Sequence, residues 1–211
     1  MGAVLFGAIL VFAIVQPVKV LPRIRLAPGY ALTDQAGQPF TSETARGSVT
    51  LYSFAPTDCD EACDDLFATM REVRDRAVDE VDLGDVDLNL VTIALDDDPD
   101  PEALAAAAAA SGADGESWRW VGGEWDRIRT VVGAGFERYV GEGADGEIEF
   151  DAGFAIVDGS GVIRSETRYQ TISDDADKLV RHLGVLGDEL RYAHGPAAAA
   201  YEAAHLFLCY A

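Results

Sequence analysis

Two cysteines four positions apart, Cys59 and Cys63, sit in the stretch "SFAPTDCDEACDD" (Ser53–Asp65). Thiols at this spacing serve disulfide chemistry or the capture of a soft metal ion, because both uses run through the thiolate. On a helix, four residues make roughly one turn, which brings the two Cα atoms to about 6 Å, inside the range a disulfide bridges. Asp58, Asp60, Glu61, Asp64 and Asp65 surround the pair. Each carboxylate opposes a nearby thiolate, while a helix N-terminus offers only about half a positive charge in its favour. The local field therefore favours holding a cation over rapid thiol exchange. Burial as a structural pair is the alternative, since free cysteine is among the most buried residue types and Cys63 falls on the inward face of a helix.

The elements that must position this pair are legible on either side of it. "SVTLYSF" (Ser48–Phe54) is apolar, aromatic and β-branched between Gly47 and Pro56, the pattern of a buried strand. Asp58 or Asp60 can cap the helix that follows, whose inward face is Cys63, Leu66, Phe67, Met70, Val73, Ala77 and Val78. A strand running into a helix sets the first cysteine, Cys59, at the helix N-terminus. "LNLVTIAL" (Leu88–Leu95) reads as a second central strand, and "DPEALAAAAAASG" as a helix between a capping Asp100 and Gly112. A helix over about 124–132 comes next. "EIEFDAGFAIVD" and "VIRSETR" then form a hairpin across "GSG", and a last amphipathic helix runs over about 174–190. Upstream, "YALTDQAGQPF" is a short strand and turn. Strand–helix–strand–helix, then a hairpin and a helix, predicts an α/β sandwich around a central mixed sheet; a cysteine pair after the first central strand makes it thioredoxin-like.

With 37 acidic against 16 basic residues, the formal net charge is −21 and nucleic acid is excluded as a partner. The acids are spread along the chain, which suits a solvated coat. Only Lys19 and Lys178 are lysines, a balance expected of a halophilic protein, since 1 M salt shortens charge repulsion to about 3 Å.

Residues Ala3–Val15, "AVLFGAILVFAIV", form an unbroken apolar run, and extension to Leu21 reaches about the 20 residues a membrane span needs. Thirteen residues alone suit a signal-peptide core, so 1–22 reads as a membrane anchor or signal-like segment; no small-residue cleavage site stands out, and a retained anchor is expected. Lys19, Arg23 and Arg25 follow the run; read literally, this positive-inside bias keeps the domain in the cytoplasm, and basic residues further upstream would reverse it. The expectation adopted is a membrane-anchored domain over 26–192 on the extracytoplasmic side, followed by a C-terminal helix over 193–211. In that helix Glu202, His205 and Cys209 share a face. Three such residues fall short of a four-ligand zinc site, so packing on the domain or against the anchor is expected instead.

At the level of motifs, about 30–190 resembles the SCO/SenC family, thioredoxin-fold proteins that assemble the binuclear copper centre of cytochrome c oxidase. "YALTDQAGQPF" is similar to the family's F-x-L-x-D-x-x-G-x-x-F opening, and "GSVTLYSFAPTDCDEAC" to its strand followed by T-x-C-x-x-x-C, with Thr57 in register. "IALDDDPDPEAL" and "FAIVDGSG" resemble later family segments in the right order. The resemblance implies that Cys59 and Cys63 carry Cu(I) or cycle between dithiol and disulfide. It also implies a third copper ligand, a histidine, at about Phe150, yet no histidine lies between Glu147 and Gly161. Cu(II), which favours imidazole, should suffer most. His182, His194 and His205 all come later, and His182 is expected on a helix surface.

Three functions are consistent with this reading. The first is a copper-linked assembly factor acting on the oxidase's copper-centre subunit. The second is an enzyme, a general thiol–disulfide oxidoreductase of thioredoxin fold that acts on another thiol protein, with Cys59 attacking and Cys63 resolving. The third is a non-catalytic thioredoxin-like interaction module.

Overall fold

Two runs too apolar to face water on either side form the centre of the sheet. In the computed structural model, which describes residues 18–143, 146–168, 175–192, 194 and 198–207, these are β4 (Val49–Ala55) and β5 (Leu88–Ala94). They pair in parallel from Val49↔Leu88 to Ala55↔Ala94. The other strands are β1 (Arg25–Leu26), β2 (Ala31–Asp34), β3 (Pro39–Thr41), β6 (Trp118–Gly122), β7 (Val140–Glu142), β8 (Ile148–Phe150), β9 (Gly153–Val157) and β10 (Val162–Arg168). Eight of them make one mixed sheet in the order β1-β10-β9-β4-β5-β6-β2-β3, and β7 pairs only with β8.

Alternation along the central strands divides the core. Leu51, Ala55, Leu90 and Ala94 face one side, where they meet α1 (Asp64–Glu80), α2 (Pro101–Ser111) and α4 (Asp175–Tyr192). Tyr52, Phe54, Val91 and Ile93 face the other, against α3 (Trp125–Ile128) and the wide turn over Arg129–Gly135. A final helix, α5 (Ala198–Phe207), packs on α4. The polar groups inside are satisfied locally: the Ser53 and Thr92 hydroxyls bond at 2.8 Å, and the Trp118 indole donates to Thr92 at 2.8 Å.

The caps anticipated for α2 form. The Asp100 side chain accepts from the Ala103 amide at 2.8 Å, and Gly112 takes φ +87°. Three expectations need correction. Val78 is 82% exposed, and Thr69 is buried on α1 in its place. The helix at 124–132 stops at Ile128 and continues as a wider turn with π-type bonding. The strand of "EIEFDAGFAIVD" is two strands: β8 turns away to β7, Asp151 and Ala152 interrupt, and β9 enters the main sheet. Gly153 makes that join possible, because a Cβ there would collide with the Thr167 carbonyl and the Arg138 guanidinium.

Val20 and Leu21, read above as an extension of the apolar run, are 0% and 1% exposed within the folded unit. Residues 1–17 of the expected anchor lie outside the described residues. Among the described residues no helix is long and apolar enough to cross a membrane.

Candidate functional site

The chain leaves β4 at Ala55, turns at Pro56–Asp58, and reaches Cys59 before any helix has begun. A short 3-10 turn, Glu61–Cys63, precedes α1, and the Asp60 carboxylate caps it by accepting from the Ala62 amide at 3.4 Å. Cys63 therefore stands at the N-cap of α1 and Cys59 in the loop ahead, so the helix starts one turn later than expected. The two are joined as a disulfide with Cα atoms 5.8 Å apart, close to the separation expected from one helical turn. Their exposure differs in a useful way. Cys63 is fully buried in the core cluster that also holds Leu66 and Ala176, whereas Cys59 is half-buried and packs against that cluster.

All five neighbouring acids are exposed to solvent. In the disulfide they oppose nothing, since neither sulfur carries charge; their effect is confined to the dithiol. One further acid was not singled out from the sequence. Asp96 follows the end of β5, and its carboxylate accepts from the Thr57 amide at 2.7 Å. Burial pushes the Asp96 carboxyl above the ordinary value, its bonds to Thr57 pull it back, and the charge on Asp58 adds to the rise. The signal for it was the run "LDDD" leaving a central strand beside the cysteine loop, at the end of the sheet where α/β folds place their sites.

The antiparallel register of β9 on β4, Ser53↔Phe154, carries Asp151 and Phe150 to this same end of the sheet. Phe150 is half-buried and packs against both halves of the core. Nearby in the fold, the buried Arg138 guanidinium donates to the Phe154 and Thr167 carbonyls, each at 2.7 Å, and lies 5.3 Å over the Phe54 ring.

The histidines are elsewhere. His182 is buried, not on the helix surface as expected; its Nδ1 lies 2.8 Å from the Ser165 hydroxyl. Ser165 is level with Ile156 and Leu51, about 13 Å along the strand from Ala55. Burial, with Lys178 and Arg181 nearby, lowers the His182 pKa to about 4. His205 lies 3.3 Å from Glu189, with burial lowering its pKa below the ordinary value, and Glu202 forms an ion pair with Arg23 at 2.9 Å, so two of the three C-terminal candidates are engaged away from the cysteines. Cys209 lies outside the described residues. Among the described residues no group of three or more His, Cys, Asp or Glu is placed to hold a metal ion. The donor set at Cys59 and Cys63 thus fits a soft ion that accepts two thiolates, and does not fit one that requires imidazole.

Comparisons with known proteins bear on this site. The family model SCO1/SenC matches residues 20–186. No match was found among curated protein sequences. Among solved structures, a SCO1/SenC family lipoprotein from Bacillus anthracis superposes with a TM-score of 0.68 at 23% identity, over 78% of this chain and 96% of its own. BsSco, a member of the Sco family of cytochrome c oxidase assembly proteins in which a disulfide switch was identified, gives 0.65 at 17% identity over 81% and 98%. Arabidopsis thaliana ScoI with copper bound gives 0.63 at 14% identity over 75% and 98%. The fold is the thioredoxin-like α/β fold of these proteins, with a mixed central sheet and C-terminal helices. The matched stretch spans most of the chain and includes both cysteines: the chain belongs to the SCO1/SenC family.

Proposed function

We propose that this chain is a membrane-attached, extracytoplasmic assembly factor for the copper centre of cytochrome c oxidase, acting through Cys59 and Cys63. The observation that carries the reading is the Cys59–Cys63 disulfide in the loop between β4 and α1, with Cys59 half-buried and Cys63 buried. In the dithiol form the half-buried Cys59 attacks a client disulfide and releases one client thiolate. Cys63 then attacks the mixed disulfide at Cys59, which frees the second client thiolate and regenerates the disulfide described above. Two electrons pass from this chain to the client, and the client's cysteines become able to take copper. Cu(I) is the cargo the same two thiolates suit, and Asp58, Asp60 and Asp96 favour a cation beside them.

A second reading, thiol–disulfide exchange without copper transfer, is favoured by one observation: His182 lies at the middle of the sheet and His205 towards its far end, both away from the cysteines. One titration separates the two. The reduced full chain is titrated with Cu(I) against a moderate-affinity chelator while free thiols are counted. Uptake of about one Cu(I), with loss of both thiols to reagent, supports copper handling. No competition with the chelator, together with a Cys63→Ser chain that accumulates mixed disulfides, supports exchange alone. If neither occurs at any salt concentration, a non-catalytic module remains, for which Cys59→Ser/Cys63→Ser retains full function in cells.

A further inference from the structure

The two ends of the sheet treat their acids differently. Strands β4, β5 and β6 run parallel, so the loops that follow them, 56–63, 95–100 and 123–124, open at the disulfide end. The antiparallel β9 brings 151–152, just before it, to the same end. The first loop holds Asp58, Asp60 and Glu61, the second is "LDDDPD" (Leu95–Asp100), and the others add Glu124 and Asp151; none of the four contains Lys or Arg. Among the described residues, Glu124 alone of these acids forms an ion pair, with Arg127 at 3.8 Å. Arg127 is also held by the Ala31 carbonyl at 2.9 Å, and Arg168 ends β10, two strands from β4. At the opposite end, bases answer the acids. Arg164 pairs with Glu189 and, at 3.1 Å, with Asp158, and it donates to the Leu21 and Pro22 carbonyls. Leu21 in turn donates its amide to Glu189 at 2.6 Å, and Arg191 pairs with Asp82 at 2.7 Å. The register Arg25↔Ile163↔Val157↔Thr50 puts this cluster level with the start of β4, whereas Cys59 follows its end.

We propose that the surface around Cys59 selects a cationic client, a protein segment whose reacting cysteine is flanked by Lys or Arg. The inference rests on the exchange step proposed for Cys59. Exchange requires contact between sulfurs, so the residues beside the client's cysteine are pressed against those beside Cys59. Asp58 and Asp60 stand on either side of it, both exposed, with Cα atoms about 3.8 Å from its own. Their carboxylates meet the client at contact distance, where even a screening length of about 3 Å in 1 M salt leaves part of the interaction. An anionic segment is repelled there and a cationic one attracted, so discrimination comes from both signs. A second feature favours the same chemistry. Tyr139 is 54% exposed, and its carbonyl accepts from the Asp151 amide at 3.0 Å, which places an open aromatic ring on this end of the domain. The face of such a ring attracts Lys and Arg. Because the acids are answered at one end and not at the other, the field of the chain also turns the disulfide towards a cationic partner before contact.

The test oxidises the reduced full chain with three small disulfides of similar size: dicationic cystamine, neutral bis(2-hydroxyethyl) disulfide and dianionic dithiodipropionate. In each reaction the Cys59–Cys63 dithiol gives up two electrons and two protons, the probe leaves as two thiols, and the new disulfide is counted by peptide mass. Dividing each rate by that of the same probe with free dithiothreitol removes the difference in leaving group. In dilute buffer cystamine is expected to lead and dithiodipropionate to trail, about tenfold apart or more, with the gap narrowing towards 1 M salt. Asp58→Asn/Glu61→Gln keeps the Asp60 cap and should shrink the gap severalfold. Asp85→Asn/Asp87→Asn removes equal charge from exposed positions before β5, at the opposite end, and should leave the gap unchanged. Equal normalised rates for the three probes overturn the inference and leave exchange standing. A gap that both double variants shrink alike overturns the assignment to this surface, because net charge then accounts for it. A chain that none of the three oxidises removes the exchange step, and the inference with it.

Discussion

Reduction of the Cys59–Cys63 disulfide is expected to destabilise the fold by an amount set by the size of the ring it closes. The bond links residues four apart in sequence. For a closed loop of about five residues, the chain-entropy relation gives about 7 cal/mol/K, or about 2 kcal/mol at 25 °C. Little else changes on reduction, because Cys63 stays in the core as a small apolar side chain and Cys59 is already half-buried. At roughly 2–4 °C per kcal/mol for a chain of this size, Tm should fall by about 4–8 °C. The assay is urea unfolding of oxidised and fully reduced chain, followed by circular dichroism with thiols counted at every point. A thermodynamic cycle makes the same number appear a second way: the disulfide's reduction potential should lie about 45 mV lower in the folded chain than in the urea-unfolded one. A reduced chain as stable as the oxidised one, or more so, would refute the reasoning, and so would two routes giving different energies.

Three further outcomes test other parts of the structure. His182 is neutral when buried, with a pKa lowered to about 4 from 6.5, so the native state resists the proton that the unfolded chain accepts. Its contribution to stability is present above pH 6.5 and lost as pH falls towards 4, by about 2 kcal/mol between pH 7 and pH 5; a His182→Gln chain should lose that slope in pH-dependent unfolding. Glu189→Gln leaves the buried Arg164 with Asp158 and two carbonyls, and is expected to cost about 3 kcal/mol, read as a Tm lower by roughly 6–12 °C; a shift under about 2 °C would show that the cluster contributes little. With a net charge of −21, stability should rise between dilute buffer and molar KCl, and a flat salt series would remove the case for a halophilic chain.

What could be read in advance was whatever depends on neighbours in sequence. The runs at β4 and β5, the Asp100 and Gly112 caps of α2, and the one-turn spacing of the cysteines are local patterns, and each reappears in the structure. The failures have non-local causes. The strand through Phe150 breaks because β8 pairs with β7 and β9 with β4, and the buried Arg138 guanidinium binds the Phe154 and Thr167 carbonyls, 16 and 29 residues away. His182 was misplaced because Ser165, on another strand, supplies the bond that permits its burial. Cys63 rather than Cys59 takes the helix start because Asp60 caps a 3-10 turn first, a choice between two acids that composition does not decide. Asp96 gains its place at the site only through the pairing of β4 with β5.

The bond from the Leu21 amide to Glu189 spans 168 residues, and it has a consequence in time as well as in space. A ribosome releases the chain from its N-terminus, so Val20–Pro22 wait unlocked until α4 is complete. Strands β4 and β5, with α1 between them, can associate long before that, and Cys59 and Cys63 lie within this early unit. Closure of the far end is thus the last step of folding, and a chain truncated before Glu189 would keep its cysteine loop while leaving its first turn open.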